Sequence, residues 1–343
     1  MAKKYLFLND YSEGAHPRIL RALADVNLRQ ELGYGEDAFC LKAVELIRKK
    51  IGNRNADIHF VSGGTQANLV VLGSILKPHE SVIAAASAHI NVHEAGAIEA
   101  TGHKIHVVNS SDGKLTTQAI QEVVNEHNNE HMVKPRVVFI SNATEVGTIY
   151  NKKELKVISD VCQQNHLYLY LDGARLGSAL ASTKSDLNLS EISKFVDVFY
   201  IGGTKNGALL GEAIVINNPE LKKEFRYHLK QHGALLAKGR VLGVQFLELF
   251  KDNLYFQLAE HANKMADNLT RGIKGMGYKF LTESSTNQIF PILPNLIIKK
   301  MEKKYGFYVW TKVDGKNSAI RLVASWATDP GAIDEFLSDL KRG

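Results

Sequence analysis

The chain has 343 residues, 45% hydrophobic and 23% charged, and a net charge of +6 from 42 basic and 36 acidic side chains. That length can bury a sizeable core and supports two domains. The basic excess is scattered through short stretches such as "RKK", "NKK" and "KKMEKK", with no basic stripe interleaved with aromatics, which argues against nucleic-acid binding.

The opening "MAKKYLFLNDYSEG" has too short an apolar stretch for a signal peptide, and no run of eighteen apolar residues follows that would span a membrane. Two isolated cysteines, Cys40 and Cys162, sit in apolar helical patterns and read as core thiols, as expected in a reducing cytoplasm. From about residue 55 to 216, short β-branched runs alternate with amphipathic helical patterns. The strands expected are "ADIHFVS", "SVIAAAS", "KIHVVN", "RVVFISN", "LYLYLD", "VDVFYIG" and "GEAIVIN". Between the first six lie helical segments such as "TQANLVVLGSIL", "INVHEAGAIEAT" and "KKELKVISDVCQQN". This alternation predicts a mostly parallel seven-stranded sheet with helices on both faces. The close spacing within "VFYIGGTKNGALLGEAIVI" makes its second strand antiparallel. A long helical stretch is expected from about Pro219 to Gly275, broken near "QHGALLAKGR". "NQIFPIL", "GFYVWTKV" and "SAIRLVASW" then read as strands of a small α+β domain. The expected division is an N-terminal segment (1–15), a large α/β domain (16–248) and a small C-terminal domain (249–343).

Five motifs invite chemistry. In "VSGGTQANL" a strand, a glycine turn and a helix start follow one another, with Gly64 and Thr65 at the turn. Free N–H groups at such a helix start, with Thr65 as cap and hydroxyl donor, suit a phosphate; the plain alternative is a threonine-capped turn. The motif lacks the third glycine of a dinucleotide fingerprint and the Gly-Lys-Ser/Thr of a nucleotide P-loop. His89, in "ASAHINVHEAGAIE", lies just past another strand and is either a helix cap or part of the same crevice. "HNNEH" (127–131) has the H-x-x-E-H spacing of a class of zinc peptidases, but it is polar all round and reads as a solvated helix end.

"LYLYLDGARLGSAL" puts Asp172 at the carboxyl end of an apolar strand, with Arg175 three residues on. A carboxylate there needs a cation or hydrogen-bond donors. It either pairs with Arg175 to close the turn or faces a protonated ring nitrogen, leaving Arg175 for a substrate carboxylate. Lys205, in "YIGGTKNGALL", ends another core strand. A phosphate turn, a strand-end acid and a strand-end lysine together are what pyridoxal phosphate requires. A desolvated amine near cations has a lowered pKa, which frees it to attack carbonyls.

These residues resemble the threonine aldolase family, in the β-eliminating lyase group of aspartate-aminotransferase-fold enzymes, over nearly the whole chain. "YGED" looks like the family's "YGDD", "GGTQANL" its "GTQANL", "AHINVHEAG" its "AH…EAGG", "DGARL" its own run, and "GGTKNG" its "SKG". The resemblance implies the pyridoxal-phosphate-dependent transferase fold (fold type I), with Lys205 as Schiff-base lysine and His89 stacked on the ring. It also implies Asp172 at the ring nitrogen, and Ser12, Arg175 and Arg321 at the substrate. Tyr34 would reach a neighbour's site. Two departures stand out. "NATEVGT" offers Thr144 and Glu145 where the family has a Thr-His pair that reaches the substrate's β-hydroxyl. In "HGALLAKGR" the expected phosphate-binding arginine is missing from its position, leaving Lys238 or Arg240.

The activity implied is aldol cleavage of a β-hydroxy-α-amino acid such as L-threonine or L-allo-threonine to glycine and an aldehyde, with Glu145 or His89 as base. The alternatives are β-elimination, transamination or racemisation on the same cofactor, a non-catalytic binding scaffold, or a "HNNEH" metallopeptidase. The partners implied are a small amino-acid substrate and further copies of the chain, as a homodimer or homotetramer with sites at subunit interfaces.

Overall fold

The computed structural model describes residues 4–342; residues 1–3 and 343 of the expected terminal segments lie outside the described residues. The chain enters through a short strand, β1 (Tyr5–Leu6). All seven expected core strands then form: β2 (Asp57–Val61), β3 (Glu80–Ala85), β4 (Lys104–Val108), β5 (Lys134–Ser141), β6 (Tyr168–Asp172), β7 (Val198–Gly202) and β8 (Glu212–Ile216). They make one sheet in the order β2-β8-β7-β6-β5-β3-β4. β8 runs antiparallel to both neighbours and the remaining contacts are parallel, as the short β7–β8 spacing requires.

Side chains alternate across this sheet, and each face has its own apolar layer. Ile83, Val138, Leu169, Leu171, Phe199 and Val215 pack against Ile47, Leu155, Ile158 and Phe246 of helices on one side. Val82, Phe139, Tyr170, Val198, Tyr200 and Ile214 pack against Val70, Val71, Leu72 and Leu229 on the other. Cys40 and Cys162 are buried free thiols. The helix Lys152–Gln164 starts in a capping box between Asn151 and Glu154, and Leu189–Phe195 in one between Asn188 and Glu191.

The stretch after β8 is less continuous than expected. It holds helices Phe225–Gln231, Arg240–Phe250 and Leu254–Gly275, with the expected break at 232–239 and a second at Asp252 and Asn253, both in left-handed backbone. The "HNNEH" run lies beyond the helix that ends at Glu126, so its two histidines share no helical face. Among the described residues no group of three or more metal-ligating side chains forms.

A second, smaller sheet follows: β9 (Gln288–Ile289), β10 (Ile292–Pro294), β12 (Tyr308–Lys312) and β13 (Asn317–Val323), with β13 central. β11 (Tyr305–Gly306) pairs instead with β1, and Phe7 enters the apolar cluster of Leu269, Ile320, Leu322 and Phe336. The N-terminal segment is therefore stitched to the C-terminal sheet, and residues 9–12 are carried toward the carboxyl ends of the central strands.

Two backbone approaches there tolerate no side chain. A Cβ on Gly173 would stand 1.7 Å from the carbonyl oxygen of Tyr200, and one on Gly202 2.4 Å from that of Ala174. Gly173→Ala is expected to cost about 3 kcal/mol or more, because backbone rather than a flexible side chain must move. Urea unfolding checks this, and an unchanged midpoint would refute it.

Candidate active site

The chain order of the sheet places a switch between β3 and β5, since β4 pairs outward at the edge and the chain returns to the other side of β3. Crevices beyond such a switch are where open α/β sheets hold ligands. His89 follows β3 and Glu145 follows β5, so they stand on either side of it. The Glu145 carboxylate accepts from the His89 backbone N–H (3.0 Å) and from Ser141 Oγ (2.8 Å).

One cavity at this edge is lined by Gly64, Thr65, His89, Glu145, Asp172, Arg175 and Lys205. An outer chamber shares Tyr11, His89, Glu145, Arg175 and Lys205 with it and adds Gln288, Tyr308, Trp310 and Arg321. Eight of the residues singled out in the sequence are thus brought together. Four are not. Ser12 is exposed, with its hydroxyl donating to Asn9 Oδ1 (3.0 Å). Tyr34 is exposed at a separate recess, where its N–H meets the Ala237 carbonyl (3.2 Å), and Lys238 is exposed on the surface. The Arg240 guanidinium is held by the carbonyls of Arg29 and Asn27.

Asp172 ends β6 and is buried. Its Oδ1 accepts from Tyr200 Oη (2.6 Å) and the Ala174 N–H (3.0 Å), and its Oδ2 from Asn68 Nδ2 (3.2 Å). The carboxylate is satisfied by donors, not by Arg175. Arg175 turns instead to Asp10, giving two hydrogen bonds of 2.7 and 3.0 Å, and Asn287 Nδ2 donates to the same carboxylate at 2.9 Å. Burial alone would raise the Asp10 pKa, but Arg175 and Lys205 outweigh it and hold it below the ordinary range. Arg321 remains the less committed guanidinium. It lies 5.1 and 5.2 Å from the Tyr308 and Trp310 rings and gives one bond to the Leu8 carbonyl (3.2 Å).

The glycine turn differs in detail from expectation. Gly63, not Thr65, is the cap residue of the helix Gly64–Ile75; Thr65 lies in its first turn, and among the described residues no side chain caps it. Its first N–H groups therefore point outward uncapped, which is the arrangement an anion uses. His89 is oriented by a buried acid, with Nδ1 2.7 Å from Glu94 Oε1, and Asn68 Nδ2 donates to the same oxygen at 2.7 Å.

Lys205 follows β7 and is surrounded by protein. Burial, then the Arg175 charge, lowers its pKa, with Asp10, Asp172 and Glu212 opposing. Glu212, the first residue of β8, is pushed up to about 8 by burial, although Lys205 pulls it down; its Oε2 accepts from the Gly203 N–H (3.0 Å). Glu145 is raised by burial and then by the neighbouring Asp172 charge.

Asp10, Glu94, Tyr200 and Glu212 are contributors that the sequence reading passed over. Asp10 follows a short apolar run as Asp172 does. Glu212 opens an antiparallel strand, so it begins at the edge where the parallel strands end. The first rule finds Asp10 and the second finds Glu212; Glu94 and Tyr200 carry no such local signal.

A desolvated amine, a hydrogen-bonded strand-end acid and an uncapped helix start facing one cavity fit pyridoxal phosphate, and define a pyridoxal-phosphate-dependent enzyme of the aspartate-aminotransferase fold. A family model for the beta-eliminating lyases matches residues 7–294, and the chain belongs to that family. It is similar to a low specificity L-threonine aldolase of Pseudomonas aeruginosa, 33% identical over 98% of this chain and 96% of that one. The solved threonine aldolase of Leishmania major superposes with a TM-score of 0.97 at 47% identity, over 98% of this chain and 99% of that one. An aspartate aminotransferase of Thermus thermophilus shares the fold alone, with a TM-score of 0.74 at 12% identity over 99% and 91% of the two chains.

Proposed function

We propose that the protein is a pyridoxal-phosphate-dependent aldolase that cleaves a β-hydroxy-α-amino acid of the L-threonine or L-allo-threonine type to glycine and an aldehyde, acetaldehyde in the case of threonine. The observation that carries this reading is Lys205, an amine facing one cavity with Asp172, with Glu145 across the switch from it. The threonine aldolases to which the chain is similar over nearly its full length support the choice of reaction.

In this reading the uncapped N–H groups at Gly64 and Thr65 bind the phosphate, His89 covers one face of the ring, and Asp172 keeps the ring nitrogen protonated. The cofactor, when bound, supplies the electron sink that makes the Cα–Cβ bond breakable. Arg321 would hold the substrate carboxylate and so orient the substrate for cleavage at Cα–Cβ; Arg175, already paired with Asp10, would brace that position. Glu145 accepts the β-hydroxyl proton, directly or through water. Its raised pKa makes it a better base than an ordinary carboxylate. His89 is less free for that role because Nδ1 is tied to Glu94.

Tyr34, Lys238 and Arg240 lie away from the cavity, so a part for them in the chemistry requires a second copy of the chain. The reading therefore includes a cytoplasmic homo-oligomer, a dimer or tetramer, with neighbouring copies completing each site. Among the described residues no helix is long and apolar enough to cross a membrane. The division into 1–15, 16–248 and 249–343 belongs to the same proposal; the separate apolar cluster around Leu269, Ile320 and Phe336 supports a small C-terminal unit, while Phe250, Leu254 and Leu258 pack with the large domain.

Incubating the holoenzyme with L-threonine and with L-allo-threonine should yield glycine and acetaldehyde in equal amounts. Keto acid or ammonia without aldehyde would point to transamination or β-elimination instead and sink the aldol reading. Glu145→Gln should lower kcat about a hundredfold, the scale of one general base. In the wild type the rate should fall as pH drops through the Glu145 pKa, above the usual carboxylate range, and the glutamine variant should lose that acid limb. A limb that survives the substitution would assign the base elsewhere.

A further inference from the structure

The run "STNQIF" (285–290) contains a residue that the mechanism has not used. Gln288 is fully buried on β9, yet among the described residues neither its Nε2 nor its Oε1 finds a hydrogen-bond partner. A primary amide carries two donors and an acceptor, and burying it unpaired opposes folding. The side chain is not sealed in a core, because it lines the outer chamber with Arg321, Tyr308, Trp310 and Glu145.

Register explains how it comes to be there. Gln288 pairs with Val323 on β13, and Arg321, two residues back on that strand, shares the same face. Arg321 Nε is also buried without a partner among the described residues. The backbone on the other side is near too: the Gln288 carbonyl would stand 3.1 Å from a Cβ placed on Gly147, in the loop that carries Glu145. Gln288 therefore stands between the guanidinium assigned to the carboxylate and the loop assigned to the β-hydroxyl.

We propose that Gln288 is a substrate-recognition residue whose amide NH2 donates to the β-oxygen of the bound amino acid while its carbonyl accepts from Arg321 Nε. The inference rests on the reading of the site as one for β-hydroxy amino acids. It completes three unpaired groups at once. One donor stays on the β-oxygen while Glu145 removes its proton and the aldehyde carbonyl forms. A site whose buried polar group expects a substrate oxygen discriminates against the analogue that lacks it, because the group is then left unpaired. 2-Aminobutyrate, the carbon skeleton of threonine without the hydroxyl, is such an analogue.

The test compares wild-type holoenzyme with Gln288→Met, which keeps the volume and removes the donors. The melting temperature of the substrate-free variant should rise, since an unpartnered amide has been replaced by an apolar group. Its kcat/KM for threonine should fall about thirtyfold, the scale of one hydrogen bond in a closed site. The inhibition constant of 2-aminobutyrate should move less than about threefold, since that ligand offers Gln288 no β-oxygen. A lowered melting temperature with equal losses for both ligands would make Gln288 a structural residue and overturn the proposal, as would an unchanged kcat/KM. If the wild type yields no glycine and aldehyde, the reaction assignment fails by itself. Competitive binding of threonine and 2-aminobutyrate, read from the cofactor's visible band, then decides the residue. Preference for threonine in the wild type that vanishes in the variant upholds Gln288, and no preference in the wild type overturns it.

Discussion

Lys205→Ala is expected to remain folded and to lose at least about four orders of magnitude in kcat, the scale seen when a nucleophile is deleted. The reason is positional. The amine follows a strand of the central sheet into the cavity, and burial together with Arg175 lowers its pKa, so a larger share of it is neutral and able to attack a carbonyl. Borohydride treatment of the wild type should fix the cofactor to the peptide bearing Lys205 and bleach the visible band. The variant should show neither. The fold should survive because Glu212 can adjust. Its carboxyl, raised to about 8 by burial, is mostly protonated at neutral pH even with Lys205 pulling it down, so removal of the cation leaves no bare charge. Trapping on another lysine, or retention of activity by the alanine variant, would refute the assignment of this residue.

The seven core strands were readable because a sheet covered on both faces writes itself as apolar runs. "VFYI" and "LYLYL" supply alternate residues to two different apolar layers, and no exposed position interrupts them. The same logic exposed Asp172 and Lys205, since a charge that ends such a run contradicts its surroundings. What remained hidden depends on contacts far apart in the chain. Asp10 and Arg175 are 165 positions apart, and nothing local in "FLNDY" or "DGARL" says that they meet, so the pairing of Arg175 with Asp172 looked equally good.

Partner choice among polar residues is poorly encoded in local sequence for a physical reason. Hydrogen bonding depends on distances of tenths of an ångström, whereas apolar periodicity survives wide variation in side chain. Thr65 looked like a cap because threonine often is one, but the turn closes one residue pair earlier, on Gly63. Ser12 looked like the substrate contact of the N-terminal segment, whereas the short pairing of β1 with β11 sets the register that delivers Asp10 and Tyr11 to the site. Tyr34, Lys238 and Arg240 are absent from the lining of the cavity that holds Lys205 and Asp172.

Asp172→Asn is expected to reduce kcat about a thousandfold, at the upper end for loss of one preorganised electrostatic group. The substitution keeps the shape and removes the charge proposed to hold a ring nitrogen protonated. It also meets a polarised network that resists rearrangement. Asn68 accepts from Tyr170 Oη at 2.8 Å and donates to Glu94 and to Asp172, so its amide cannot turn over without losing two other bonds. An asparagine at 172 whose oxygen stays with Tyr200 and the Ala174 N–H must present its NH2 to the NH2 of Asn68. That clash of donors should cost about 1–3 kcal/mol of stability in addition to the catalytic loss. Tyr200→Phe separates the two effects, since it removes one 2.6 Å donor and leaves the charge. It should lower kcat by about tenfold, the scale of a single hydrogen bond. Rates for both variants, measured with saturating cofactor and alongside their melting temperatures, distinguish charge from packing. If the two lose activity equally, Asp172 acts by holding Tyr200 and Asn68 in place; if the asparagine variant is far slower at similar stability, its charge is what the reaction uses.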